Sequence, residues 1–190
     1  MAEIHHPLPD LGAWTTASRD ADLPVLADTA EAIEALRANE DAAGANRLGE
    51  LIAADPLMTL KVMAHASAQR HSRLVTDAES VTAALVIGIT PFFRDFGAQP
   101  TIEARLADRP EALAGARVVL QRSHRATRFA LGFAVHRSDH DAALIHLAAL
   151  LHDFAELLLW CHASLLLALE LQSRQRVDLT LRSSAAQPRC

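Results

Sequence analysis

Along most of this chain apolar residues recur every three or four positions, the spacing that places them on one face of an α-helix. Leu26, Ala30, Ile33 and Leu36 form such a stripe behind Asp22-Leu23-Pro24, with Asp22 as a cap and Pro24 in the first turn. Gly44 ends that pattern. A second helix runs from about Arg47 through Leu48, Leu51 and Ile52 to Asp55-Pro56, where proline disfavours a helical conformation in the preceding residue. The same pair starts a third, Pro56 to about Gln69, with an apolar face wide enough for a core helix: Leu57, Leu60 and Ala64, with Met58, Val62 and Met63 beside them. Thr76 and Glu79 have the spacing of a capping box ahead of Val81, Leu85, Gly88 and Ile89, and Thr90-Pro91 then bends the chain. Phe92, Phe93 and Phe96 read as packing between two halves of the molecule.

Pro100 and Pro110 bracket a short helical turn at the seam between those halves. Beyond it Leu113, Ala116, Leu120, Thr127, Leu131, Ala134 and Val135 predict a long helix up to about Arg137. Ser138 or Asp139 is expected to cap the next one, whose stripe is Leu144, Leu147 and Leu151. A last apolar run from Leu157 to about Leu171 should lie centrally. Residues 1–22 and the end of the chain lack a period and read as loosely ordered.

Composition agrees with the pattern. The 190 residues are 51% hydrophobic and only 4% aromatic, with no tyrosine, which excludes disorder and favours packed helices over sandwiches or barrels. The expected fold is all-α, a multi-helix bundle in two closely packed lobes at about 23–98 and 110–175, within one unit over 23–185. A formal net charge of -5 lacks the basic footprint that nucleic acid demands. Cys161 and Cys190 have no CxxC partner and read as free thiols in a reducing cytoplasm. Neither a signal peptide nor a membrane anchor is expected, because the stretch Leu144 to Leu171 is interrupted by His146, His152, Asp153, Glu156 and His162.

Ten histidines invite a metal reading. His5 and His6 lie in the lead-in, and His65 and His71 have no carboxylate at ligand spacing. His136 and His140 stand four apart without the HExxH pattern. The informative site is Leu150-Leu151-His152-Asp153-Phe154-Ala155-Glu156, together with His124 in Arg122-Ser123-His124-Arg125. An adjacent His-Asp pair offers nitrogen and oxygen donors that a divalent cation can bridge. One helix out, a turn and one helix back would bring His124 beside the pair.

Here the sequence resembles the HD superfamily, whose histidine, adjacent His-Asp and distant aspartate bind metal for phosphohydrolysis. Leu23-Pro24-Val25-Leu26, the run Leu51-Ile52-Ala53-Ala54-Asp55-Pro56-Leu57-Met58-Thr59, and Val75-Thr76 to Gly88 narrow it to the HDOD domain, the HD-related output domain of bacterial signalling proteins. The resemblance implies His124, His152 and Asp153 as vestigial metal ligands. It departs from the catalytic HD-GYP enzymes, which carry HDIGK where this chain has His152-Asp153-Phe154-Ala155-Glu156, so glycine and lysine are gone and Glu156 would repel an anionic substrate. The distant aspartate has no counterpart, Asp178 being a poor substitute, and the chain reads as truncated. The expectation is therefore a non-catalytic cytoplasmic regulatory module with no cofactor, acting through a signalling protein or a small ligand, and able to self-associate. The alternative is a metal-dependent phosphohydrolase acting on nucleotides or cyclic dinucleotides.

Overall fold

A computed structural model describes residues 4–19, 22–38, 44–69, 89–164 and 167–174. In chain order the helices are α1 Leu11–Arg19, α2 Ala27–Arg37, α3 Ala45–Ala54, α4 Pro56–Gln69, α5 Ile89–Asp95, α6 Ile102–Arg105, α7 Pro110–His136, α8 Ala142–Leu151 and α9 Phe154–His162, and the chain is helical again over 167–174. No strand is present among the described residues, so the protein is all-α. The expected capping box at Thr76 and Glu79 lies outside the described residues, as does the tail beyond residue 174.

Sequence patterning places α3 and α4 closely. Asp55 is the single non-helical residue between them, with φ -115° and ψ 110°, the extended geometry a residue before proline prefers. Its carboxylate is fully buried and holds three chain segments together. Oδ1 accepts from the backbone N–H of Leu57 (2.8 Å) and Met58 (3.1 Å), capping α4, while Oδ2 accepts from Leu26 N–H at 2.8 Å at the entry to α2. Burial raises the Asp55 pKa, against the lowering effect of these donors and the Thr29 hydroxyl.

The N-terminal end holds two features that periodicity does not show. Helix α1 lies within the lead-in, and Ile4 pairs with the end of α9 through Ile4 N–H to His162 O (2.9 Å) and Ser164 N–H to Ile4 O (2.8 Å). Helix α2 begins after Leu26 rather than at Pro24, because Val25 is held extended between Pro100 O (2.9 Å) and Ile102 N–H (2.8 Å). That backbone pairing is non-local and leaves no periodic trace. Lys61, the only lysine in the chain, braces the same segment by donating to Leu23 O at 2.8 Å and to Gln99. Burial pushes its pKa down, only partly offset by Asp22.

Two buried clusters make up the interior. The first joins Val25, Ile33, Leu48, Ile52, Met58 and Val62 to the three phenylalanines Phe92, Phe93 and Phe96 and to Leu147 of α8. Phe92 and Phe93 meet edge-on at 5.6 Å between ring centroids. The second gathers Ile102, Leu106 and the inner face of α7 around Leu157, Trp160 and Cys161 of α9, and takes in Leu57 from α4. Each cluster thus borrows a residue from the other half of the sequence. Cys161 sits deep in the second, where burial pushes its thiol up to about 12, leaving it an inert packing group.

Helix α7 is the longest element and departs from its predicted stripe at its C-terminal end. Ala116, Leu120, Thr127 and Ala134 are buried, but Leu131 is 37% and Val135 65% exposed, and Leu144 of α8 is 49% exposed. Ser138 caps α7 rather than α8. With φ 53° it takes the left-handed position of a Schellman turn, in which Ser138 N–H bonds Val135 O (3.0 Å) and Asp139 N–H bonds Ala134 O (2.9 Å). Helix α8 starts after Asp141, whose N–H is taken by the Asp139 carboxylate at 3.0 Å.

Candidate functional site

The apolar stretch Ala142–His162 has the length and mean hydropathy, 1.6, of a membrane span. It is broken in the middle. His152 and Asp153 form a turn between α8 and α9, and Asp153 and Glu156, one helical turn apart, both point inward, 9% and 6% exposed. Two carboxylates in such a position need a cation. Arg122 of α7 supplies it: its Nε donates to Asp153 Oδ2 at 2.6 Å, and its Nη2 donates to Glu156. A planar guanidinium can engage both because its donors diverge in a fixed fork. Burial presses the Arg122 pKa down, but its hydrogen bonds to the two carboxylates and their charges outweigh that and raise it.

The remaining carboxylate oxygens are also satisfied. Asp153 Oδ1 accepts from His152 Nδ1 at 2.9 Å, and Glu156 Oε1 accepts from Gln172 Nε2 at 2.7 Å. The result is a polar chain, His152-Asp153-Arg122-Glu156-Gln172, that ties α7 to the start of α9 and to the helical stretch over 167–174. Only His152 at its outer end is well exposed, at 75% of its side chain.

Helix packing sets this register. Gly115 of α7 lies against the indole of Trp160, and seven residues further along α7 Arg122 meets Asp153, seven residues before Trp160. The same antiparallel alignment therefore makes both contacts.

His124 takes another route. Its Nε2 donates to the carbonyl of Ala54 at 2.8 Å, and His146 Nε2 donates to Ala53 O at 3.3 Å. A carbonyl only accepts, so each Nε2 carries the proton. The two imidazoles cap the C-terminal end of α3, where helix carbonyls lack intrahelical partners, and so fasten α7 and α8 to the Asp55 junction. The structure thus brings His152 and Asp153 together, as their adjacency requires, and sends His124 elsewhere. Among the described residues no group of three or more His, Cys, Asp or Glu is arranged to hold a metal ion.

The donor chemistry does not fit the divalent ion that the HD pattern implies. Asp153 Oδ2, where a cation would be held, is engaged by a guanidinium, and Oδ1 by His152. A metal there would have to displace Arg122 and would face its positive charge. Sequence reasoning missed Arg122, His146 and Gln172. The signal available for Arg122 was the placement of Glu156 one turn after Asp153 on an otherwise apolar helix, which asks for a counter-ion.

A buried imidazole lies at the far end of α9. His162 is 8% exposed, and its Nδ1 accepts from Arg105 at 3.5 Å, leaving Nε2 without a partner among the described residues. Burial, with the charges of Arg105 and Arg109, pushes its pKa down to about 4.

No curated protein and no solved structure matches the chain. Its residues 23–186 match the family profile of the HDOD domain, a span that begins at the Leu23-Pro24 segment and takes in the Asp55-Pro56 junction and the His152-Asp153 turn. All-helical, matched over most of its length and built around those two dipeptides, the chain belongs to the HDOD family, an HD-related output domain of the signalling and regulatory type.

Proposed function

We propose that this protein is a non-catalytic regulatory module of bacterial signal transduction, acting in the cytoplasm by binding a protein partner or a small ligand. The observation that carries this reading is the Arg122 fork on Asp153 and Glu156. Phosphohydrolysis of the HD type needs the His-Asp aspartate for a metal that activates water. Here that aspartate holds helices together. The first histidine of the pattern, His124, serves the end of α3 in the same structural way. Glu156, standing where the catalytic enzymes carry lysine, is buried against Arg122 and Gln172 and supplies no positive group for a phosphodiester.

The test is elemental analysis of protein purified without a histidine tag, beside the His124→Ala and Asp153→Ala variants. The expected result is no stoichiometric transition metal in any of the three. Stoichiometric manganese, iron, nickel or zinc that disappears in both variants would overturn the reading and favour a metal-dependent phosphohydrolase of nucleotides or cyclic dinucleotides.

A further inference from the structure

Helix α7 carries an outward face that is left exposed among the described residues. Val118, Phe129 and Phe133 are 50%, 71% and 68% exposed and lie along one side of the helix. Arg117, Arg125 and Arg128 are exposed beside them, and their guanidiniums make no ion pair or hydrogen bond with the other described residues. Glu111 is the only acidic residue of the helix. In a chain of net charge -5, three unpaired arginines around a phenylalanine pair spaced i, i+4 are a concentrated local exception. Exposed apolar area rimmed by one sign of charge marks an interaction surface.

We propose that this face of α7 docks an acidic amphipathic helix of a partner protein. The inference rests on the reading of the molecule as a binding module and names the chemistry of its partner. Phe129 and Phe133 present apolar anchors at the spacing a partner helix can cover with its own i, i+3, i+4 stripe. The arginines along one edge call for glutamate or aspartate on the partner helix, and arginine and phenylalanine are among the side chains enriched at such interfaces. A second copy of this chain is a poor occupant, since pairing α7 with itself sets arginine against arginine. Nucleic acid is disfavoured by the overall negative charge, which repels a long polyanion beyond the patch.

Fluorescence anisotropy with three labelled helical peptides of one apolar pattern tests this, their polar face being glutamate, glutamine or lysine. Expected is saturable, salt-sensitive binding of the glutamate peptide, with the glutamine and lysine peptides much weaker. Binding should weaken by about tenfold or more in Arg125→Glu/Arg128→Glu and in Phe129→Ala/Phe133→Ala. These side chains are solvent-exposed, and the peptide series on the unmodified protein decides the matter even if a variant misfolds. No binding, equal binding of all three peptides, or undiminished binding in folded variants overturns the proposal. So does a dimer that buries Phe129 and Phe133, or equally tight binding of duplex DNA or of phosphatidylglycerol vesicles. Failure of the peptide in a metal-free protein removes this surface and leaves the non-catalytic reading standing. A stoichiometric metal lost in His124→Ala and Asp153→Ala removes that reading, and the titration still decides the surface.

Discussion

Replacing Gly115 by alanine should destabilise the protein, whereas the same change at Gly132 on the same helix should stabilise it. A Cβ at Gly115 would lie 2.6, 2.6 and 2.7 Å from Cε2, Cζ2 and Cη2 of Trp160. Carbon atoms pack at about 3.5–4.0 Å, so the indole or α9 must retreat by about 1 Å. Trp160 is only 3% exposed and sits in the second core, which leaves little room for that movement. Overpacking of this kind costs about 1–3 kcal/mol, and three rigid ring atoms clashing together argue for the upper half of that range. The helix-propensity gain of alanine over glycine, about 1 kcal/mol, offsets part of it, for a net loss of about 1–2 kcal/mol. At Gly132 a Cβ meets nothing within 4 Å, so the propensity gain stands alone. Urea unfolding followed by circular dichroism measures both, and in melting temperature the Gly115 variant should fall by about 2–8 °C. Trp160→Leu removes the clashing atoms, so Gly115→Ala should cost less in that background. A Gly115→Ala protein as stable as the parent, or one whose cost is unchanged in the Trp160→Leu background, would refute the packing argument and with it the register that brings Arg122 onto Asp153.

Three further outcomes follow from single residues. Ser138→Gly relieves the left-handed strain at the end of α7 and should stabilise by about 0.5–1 kcal/mol in the same unfolding assay; a loss would contradict the Schellman assignment. Arg122→Met strands the two buried carboxylates and should cost about 2–4 kcal/mol, while Arg122→Met with Asp153→Asn and Glu156→Gln should recover much of it, which a mutant cycle by chemical denaturation checks. His162 has its pKa depressed from 6.5 to about 4, so the unfolded chain binds the proton more tightly, and stability is full above pH 6.5 and declines as pH falls toward 4. That decline is at most about 3 kcal/mol, and it should be absent in His162→Gln when unfolding is measured across that window.

Local chemistry made much of the fold legible. The Asp55-Pro56 break, the helix that follows it and the burial of Phe92, Phe93 and Phe96 all rest on residues whose preferences act within a few positions, and each is where the spacing places it. What escaped depends on distant partners. The start of α2 is decided by Pro100 and Thr101, some seventy-five residues beyond Val25, and the order of the N-terminal segment by its pairing with His162 and Ser164. The α7 stripe fails at Leu131 and Val135 while Ala134 between them stays buried, so only a narrow face of the helix end is covered, which periodicity alone does not register. The site was half legible. Adjacency guaranteed that His152 and Asp153 share a turn, yet whether an aspartate meets a metal or an arginine depends on which side chain the opposite helix presents at that level. Arg122 and His124 stand two residues apart on α7 and therefore face different ways, one toward α9 and the other toward α3.

On the proposed reading, that divergence lets a pattern associated with metal binding serve a structural role. A divalent cation draws ligands from several elements to one point, and losing it would leave like charges buried together. In this chain the guanidinium of Arg122 neutralises both carboxylates from a single helix. It does so through Nε and Nη2, which fixes both carboxylates against α7. The imidazole of His124 donates to α3 and connects the arginine helix to the Asp55 junction, where α2, α3 and α4 meet. Two separate sets of polar contacts thus meet on α7, one through Arg122 to the His152-Asp153 turn and one through His124 to Ala54 beside Asp55. The same helix carries the unpaired arginines and phenylalanines on its outer side. A partner that binds there would engage the helix that reaches Asp153 and Glu156 through Arg122 and the end of α3 through His124.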